Sequence, residues 1–332
     1  MQKSTKRWAK KIVFNFSLGN KRSGVDISQI FDVVVIGAGP SGLTAAIYAG
    51  RYRLKTLLIE KKLVSGGQLA TIAHVENYPG FNTTVSGSYL AQEMEKQAVK
   101  NGVLILQTYI ESVNFTGQIK ELNTPKGVIK AKALIISTGA QPRMLNIPGE
   151  QQHIGKGVSY CATCDGHLFI DKTIAAIGGG NTALEEAITL TKYAKKVFII
   201  HRRDEFRADK ILQEKIRMIP KIELMLNTTV KEIDFSKDND RRILVQTKGQ
   251  DKTIRVDGVF IFVGIIPNSE PFLDALNLKE GFITSDEDMK TCVEGVFVSG
   301  DVRYKSLRQI TTAVGDGATA AFSANKYLTE KR

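Results

Sequence analysis

The chain of 332 residues holds three cysteines, carries a formal net charge of +12, and is 42% hydrophobic and 24% charged. That length accommodates two cores, three cysteines are too few for a disulfide scaffold, and no apolar run approaches the roughly 18–20 residues of a membrane span. The charge does not point to nucleic acid: +6 of it lies in residues 1–30 (Lys3, Lys6, Arg7, Lys10, Lys11, Lys21 and Arg22 against Asp26), and no basic stretch is interleaved with aromatics.

Residues 1–29 stand apart as a basic extension with one short apolar patch, Ile12-Val13-Phe14. No small-residue cleavage site follows it, as a secretory signal requires. Its composition is compatible with an organelle transit peptide and with a solvated, disordered tail. Folding is expected to start near Ile30. Residues 32–36 are continuously apolar after Asp32 and read as a buried parallel strand. Gly37-Ala38-Gly39-Pro40-Ser41-Gly42 makes a turn, an alanine-rich helix follows from Leu43 to Tyr48, and residues 56–60 form a second strand ending in Glu60, 23 residues after Gly37. This is the strand–turn–helix–strand order of a dinucleotide-binding unit.

The same order recurs. Residues 172–177 are a strand, Gly178-Gly179-Gly180-Asn181-Thr182-Ala183 a turn, residues 184–193 a helix and residues 196–200 a strand ending at His201, again 23 residues after the first glycine. Two such units indicate two homologous nucleotide-binding lobes. Residues 254–263 read as one further strand, with Pro267 and Pro271 as a boundary. Residues 295–301 read as a strand meeting a Gly-Asp turn, and residues 311–327 as a helix. The last part has no fingerprint of its own and is expected to complete the first lobe.

A pyrophosphate needs backbone N–H groups at a helix N-terminus, with no Cβ in the way. Gly37, Gly39 and Gly42 supply this in the first lobe, and Gly178, Gly180 and Ala183 in the second. Glu60 is placed to accept from ribose hydroxyls, so the first lobe suits FAD or NAD. At the matching place the second lobe has His201-Arg202-Arg203, with Arg207 beyond. Arginines there bind a 2′-phosphate that a carboxylate would repel, so the second lobe suits NADPH.

Between the two units lies Cys161-Ala162-Thr163-Cys164-Asp165-Gly166. A structural zinc site takes four ligands, but there is no second cysteine pair, and His74, His153, His167 and His201 are not at ligand spacing. No metal is expected. A Cys-x-x-Cys opens and closes a small disulfide ring, and Asp165 is placed to accept and return the proton that exchange moves. His167 reads as a surface or satisfied histidine, and Cys292 as structural. Together, the dithiol and two nucleotide units imply an electron path from nicotinamide to disulfide.

These motifs resemble the low-molecular-weight thioredoxin reductases, as do Gly66-Gly67-Gln68-Leu69, Val75-Glu76-Asn77-Tyr78-Pro79-Gly80, Ser137-Thr138-Gly139, His201-Arg202-Arg203-Asp204, Gly300-Asp301-Val302-Arg303 and Arg308-Gln309. The resemblance runs from about residue 31 to the end. It implies an α/β fold of two Rossmann-like domains, the NADPH domain (142–268) inserted into a split FAD domain (30–141 and 269–332). It also implies FAD on Gly37, Gly39, Pro40, Ser41, Gly42, Glu60, Gly67, Gln68, Asn77, Thr138, Gly139, Gly300, Asp301, Arg308 and Gln309. NADPH would lie on Gly178, Gly180, Asn181, Thr182, Ala183, His201, Arg202, Arg203 and Arg207. By the same resemblance Cys161 and Cys164 are the redox pair, Cys164 is the sulfur nearer the flavin, and Asp165 is the proton donor and acceptor. The implied protein is a cytoplasmic homodimer whose lobes rotate and whose partner is thioredoxin; organellar targeting by the extension stays open. A related reductase of another protein disulfide, or a flavin-binding redox sensor, remains as an alternative. Glu294 departs from the family, which usually has proline there.

Overall fold

A computed structural model describes residues 24–72 and 74–331. The basic extension expected over residues 1–29 therefore falls outside the described residues up to residue 23, and residues 24–29 precede the first strand without regular structure.

The first lobe opens with β1 (Ile30–Ile36), α1 (Pro40–Arg51) and β2 (Thr56–Glu60), followed by α2 (Gly87–Lys100), β3 (Leu104–Gln107), β4 (Ser112–Asn114), β5 (Lys120–Thr124) and β6 (Gly127–Ile136). Strand order is β3-β2-β1-β6-β5-β4, with β3, β2, β1 and β6 parallel. Side chains of a strand alternate in direction, and here both directions are buried. Val33 and Val35 enter one core with Leu43, Leu90, Ala320 and Leu328, whereas Val34 and Ile36 enter another with Leu122, Phe272 and Ile283. A strand covered on both faces must be apolar throughout, which is the pattern the sequence carries.

The chain then leaves through β7 (Ala140–Pro142) and enters a second sheet. Its elements are β8 (Val158–Ser159), α3 (Ala162–Asp165), β9 (Thr173–Gly178), α4 (Asn181–Leu190), β10 (Lys196–Ile200), α5 (Lys210–Arg217), β11 (Ile222–Met225), β12 (Thr228–Asp234), β13 (Arg242–Thr247), β14 (Gln250–Arg255) and β15 (Gly258–Phe262). The order β11-β10-β9-β15-β8 is parallel throughout, and β12-β13-β14 form a separate antiparallel sheet. Ile174 and Ala176 pack towards Leu184 and Ala187 of α4. Ala175 and Ile177 pack towards Val230, Ile243 and Val245 of the antiparallel sheet.

One expected element is corrected. Residues 254–263 are not a single strand but the end of β14 and all of β15, in different sheets. Asp257 marks the break: its carboxylate accepts the Thr173 N–H at 2.8 Å and its carbonyl accepts from Arg241 at 3.2 Å, so the chain turns there to join β9.

The return runs through β16 (Ile265–Pro267), which pairs antiparallel with β7, so the two crossings between lobes lie side by side. A small hairpin of β17 (Leu278–Lys279) and β18 (Phe282–Ile283) precedes β19 (Val296–Val298) and α6 (Ile310–Glu330). β19 pairs with β6 of the first sheet, register Val296↔Leu134 to Val298↔Ile136. The C-terminal part thus completes the first lobe, and the second lobe is an insertion. Helix α6 packs along α1 closely enough that a Cβ on Gly317 would overlap the Ser41 carbonyl. The helix expected over residues 311–327 extends by a residue at its start and three at its end. Among the described residues no helix is long and apolar enough to cross a membrane.

Candidate active site

In an open parallel sheet, ligands bind beyond the strand carboxyl ends where the strand order reverses. β1 and β9 occupy that place in their sheets, and each is followed by a glycine turn and a helix. The N-caps of α1 and α4 are Gly39 and Gly180, with extended backbones and no side-chain capping bond. Among the described residues no atom lies within 4 Å of where a Cβ on either glycine would stand. By contrast, a Cβ on Gly42 would overlap the Gly37 carbonyl, and one on Gly179 the His201 ring. Both turns therefore present uncapped helix N–H groups beneath open space, which fits a pyrophosphate at each.

Around the first turn, Glu60 Oε2 accepts the Ala38 N–H at 2.7 Å and Oε1 accepts that of Lys62 at 2.8 Å, fixing the carboxylate at the end of β2. Ser41, Ser137 and Ser299 join their hydroxyls at 2.8 and 2.7 Å, tying α1 to β6 and β19. Gly300, with φ +76°, places the following turn against Ser41. Asp301 Oδ1 is buried without an aligned hydrogen-bond partner among the described residues, the Lys305 ammonium standing 3.5 Å away. Burial pushes the Asp301 carboxyl above its ordinary value, against the pull of Lys305 and Arg308. A buried acceptor of this kind fits a polyhydroxylated ligand. Arg308 lies 4.2 Å over the Phe282 ring. Gln68 donates to the Ala140 carbonyl, and Thr138 and Asn268 exchange bonds of 2.7 and 2.8 Å. Gly67 is close to Gly39, and Gly139 follows Thr138 with φ +72°.

In the second lobe, Arg202, Arg203 and Arg207 are exposed near the end of β10, whereas His201 is 6% exposed, stacked on Phe206 and packed under Gly179. Burial holds the His201 imidazole below its ordinary value, and Arg207, Arg202 and Arg203 add to that. His201 therefore supports the turn from beneath, and the arginines supply the accessible charge. Asn181 Nδ2 donates to Asp209 Oδ2 at 2.9 Å and its Oδ1 accepts the Asp209 N–H at 2.8 Å, joining α4 to α5. Thr182 is exposed beside it, and Ala183 is packed below the Gly178 turn.

Cys161 and Cys164 are joined as a disulfide. Cys161 is the N-cap of α3, and its Sγ accepts the Cys164 N–H at 3.1 Å. Glu186 of α4 accepts the Ala162 N–H at 3.1 Å; burial raises its carboxyl above the ordinary value while that bond lowers it. Ser159 donates to Asp165 at 2.6 Å. Neither Ser159 nor Glu186 lies in a motif that marks it in the sequence. The dithiol faces the first lobe: Gln309 Nε2 lies 3.9 Å from Cys164 Sγ, and Asn77 Nδ2 donates to Gln309 Oε1 at 3.2 Å. His167 Nε2 stands 3.0 Å from Glu76 Oε2, a contact between lobes that is not an aligned hydrogen bond. Cys292, read above as structural, is a free and exposed cysteine. Glu294 pairs with Lys331 at 2.9 Å on the surface.

Comparison with known proteins gives the same reading. Residues 31–317 match the pyridine nucleotide-disulphide oxidoreductase family. The thioredoxin reductase of Peptoclostridium acidaminophilum is 43% identical over 313 residues, covering 91% of this chain and 98% of the other. The crystal structure of the Streptococcus pyogenes thioredoxin reductase superposes with a TM-score of 0.87 at 41% identity, covering 91% and 99%. The Lactococcus lactis enzyme in its FR conformation gives 0.62 at 40% identity, covering 90% and 99%. With its two glycine turns and the disulfide between them, this chain belongs to the pyridine nucleotide-disulphide oxidoreductases, in the thioredoxin reductase family.

Proposed function

We propose that this chain is an NADPH-dependent thioredoxin-disulfide reductase. The observation that carries the reading is the Cys161–Cys164 disulfide, borne on the second lobe and turned towards Gln309 and Asn77 of the first. FAD would be held by Gly37, Gly39, Pro40, Ser41, Gly42, Glu60, Gly67, Gln68, Asn77, Thr138, Gly139, Gly300, Asp301, Arg308 and Gln309. NADPH would be held by Gly178, Gly180, Asn181, Thr182 and Ala183, with Arg202, Arg203 and Arg207 on its 2′-phosphate. When bound, the two cofactors supply a hydride from NADPH and its relay as an electron pair.

The chain's own residues do the rest. Two electrons and two protons convert the Cys161–Cys164 bond to a dithiol, one proton passing through Asp165. Cys164 faces Gln309, which leaves Cys161 as the sulfur for a partner, and the Cys164 N–H on its Sγ favours the thiolate. A Cys161 thiolate attacks the thioredoxin disulfide and forms a mixed disulfide; Asp165 protonates the departing thiolate. Cys164 then breaks the mixed disulfide and restores the Cys161–Cys164 bond.

With Cys164 Sγ against Gln309 of the first lobe, turnover needs the lobes to separate so that thioredoxin can engage the dithiol. The paired crossings β7 and β16 suit a rotation, and similar identity with TM-scores of 0.87 and 0.62 against two relatives supports one. Domain limits of 30–141, 142–268 and 269–332 belong to the same proposal, as do a cytoplasmic location and a homodimer. The exposed Tyr48, Tyr52 and Phe322, on and beside the packed helices α1 and α6, support a protein contact there.

The test is NADPH oxidation by the purified protein, with and without oxidised thioredoxin from the same source. Oxidation that depends on thioredoxin is expected. If NADPH bleaches the flavin and thioredoxin fails to restart turnover, the partner is another protein disulfide.

A further inference from the structure

Asp165 ends α3, a helix of four residues, which is too short to aim a side chain through its own packing. What fixes the carboxylate is Ser159, the last residue of β8. Ser159 pairs with Phe260 of β15 and is 6% exposed, so it belongs to the rigid sheet rather than to the dithiol loop. Its Oγ accepts the Cys161 N–H at 3.1 Å and stands 2.6 Å from Asp165 Oδ2. The Cys161 carbonyl is a second acceptor at 3.3 Å, but a carboxylate at 2.6 Å takes the hydroxyl proton in preference. One hydroxyl thus ties the backbone of the first cysteine to the carboxylate next to the second.

We propose that Ser159 is a positioning residue: by donating to Oδ2 of Asp165 it leaves Oδ1 as the oxygen that carries the exchangeable proton. The proposal rests on the reading of Asp165 as the dithiol's acid and base. Ser159 neither gains nor loses a proton over the cycle. Asp165 Oδ1–H gives its proton to the thiolate released when a disulfide opens, and recovers one when the thiol is next ionised. The electron pair comes from NADPH, as in the reaction above. Without that donor Asp165 swings between its two oxygens, and the exchangeable proton has no fixed atom to leave from.

The experiment uses the holoenzyme with Ser159→Ala, Ser159→Thr, Asp165→Asn and the Ser159→Ala/Asp165→Asn double variant. It measures thioredoxin-coupled NADPH oxidation against pH, and iodoacetamide alkylation of the reduced dithiol against pH. Ser159→Ala is expected to lower the coupled rate about tenfold, roughly what one hydrogen bond to a charged group gives, and to displace the acid limb of its pH profile to higher pH. The alkylation profile should move with it, and threonine, which keeps the hydroxyl, should restore both. In the Asp165→Asn background, Ser159→Ala should add less than about a twofold loss. An equal loss in both backgrounds, or an acid limb that does not move, overturns the role of Ser159 alone. If Asp165→Asn leaves the coupled rate intact, the acid reading of Asp165 falls and the proposal falls with it.

Discussion

Gly180 gives a prediction in which folding and binding move independently. Its backbone is extended, at φ −98° and ψ 177°, which any residue adopts, and no described atom stands within 4 Å of a Cβ there. Serine at Gly180 is therefore accommodated, and as an N-cap it satisfies one of the free N–H groups of α4, a change within a few tenths of a kcal/mol of glycine. The same hydroxyl fills the space that the pyrophosphate would take. Losing two hydrogen bonds to a charged group, at the lower figure of about 1.5 kcal/mol each, removes about 3 kcal/mol, or roughly 100-fold in affinity. Gly180→Ser should keep its unfolding temperature within about 2 °C of the parent while KM for NADPH rises roughly 100-fold. Both quantities are read on one preparation, by calorimetry and by initial rates with saturating thioredoxin. A KM within threefold of the parent would refute a phosphate above Gly180. As a control, Gly42→Ala should fail to fold, because its Cβ overlaps the Gly37 carbonyl.

The other predictions concern charge. Arg202→Ala should raise KM for NADPH at least tenfold more than KM for NADH, since only NADPH carries the 2′-phosphate; equal effects in steady-state assays would remove that assignment. Asp316→Ala takes away the acceptor of the Gly300 N–H at 3.1 Å, Arg303 at 3.1 Å and Lys305 at 3.0 Å, leaving two cations largely buried. Breaking such a group costs about 3–5 kcal/mol, which calorimetry should show as a fall of at least about 6 °C. Burial raises the Asp301 carboxyl, so the folded chain binds that proton more tightly than the unfolded chain does. Stability of the cofactor-free protein should then decline as pH rises from the ordinary carboxylate range through the raised value, and increase as pH falls back through it. Asp301→Asn should flatten that decline in urea titrations at several pH values while weakening FAD retention on gel filtration; an unchanged pH slope would count against it.

What could be read from the sequence was what backbone geometry demands locally. The glycines of both turns, the apolar runs of β1 and β9 and the equal spacing to Glu60 and His201 each state a local requirement, and each element formed where expected. The run at 254–263 misled because apolarity alone does not show which sheet a residue joins; Asp257 redirects it through bonds to Thr173 and Arg241, both distant in sequence. His201 had the spacing of a ribose contact yet lies beneath the turn, since spacing does not encode which way a ring points. The meeting of Cys164 with Gln309 was legible only by resemblance, and Ser159, Glu186 and the Asp316 cluster only in three dimensions. Serines, glutamates and lysines are common everywhere, and no period marks the few that are committed.

The pairing of β19 with β6 has a bearing on how the protein is made. Ribosomes deliver the chain from its N-terminus, and domains fold as they emerge. When β6 appears, the edge beside Leu134, Ile135 and Ile136 has no partner, and it stays open while the whole of the inserted lobe is synthesised. That lobe, contiguous from β8 to β15, closes its sheet without waiting for anything downstream. An apolar strand edge is meanwhile exposed to neighbouring chains, and chaperone demand should peak in that interval. The part of the molecule written first is the part finished last.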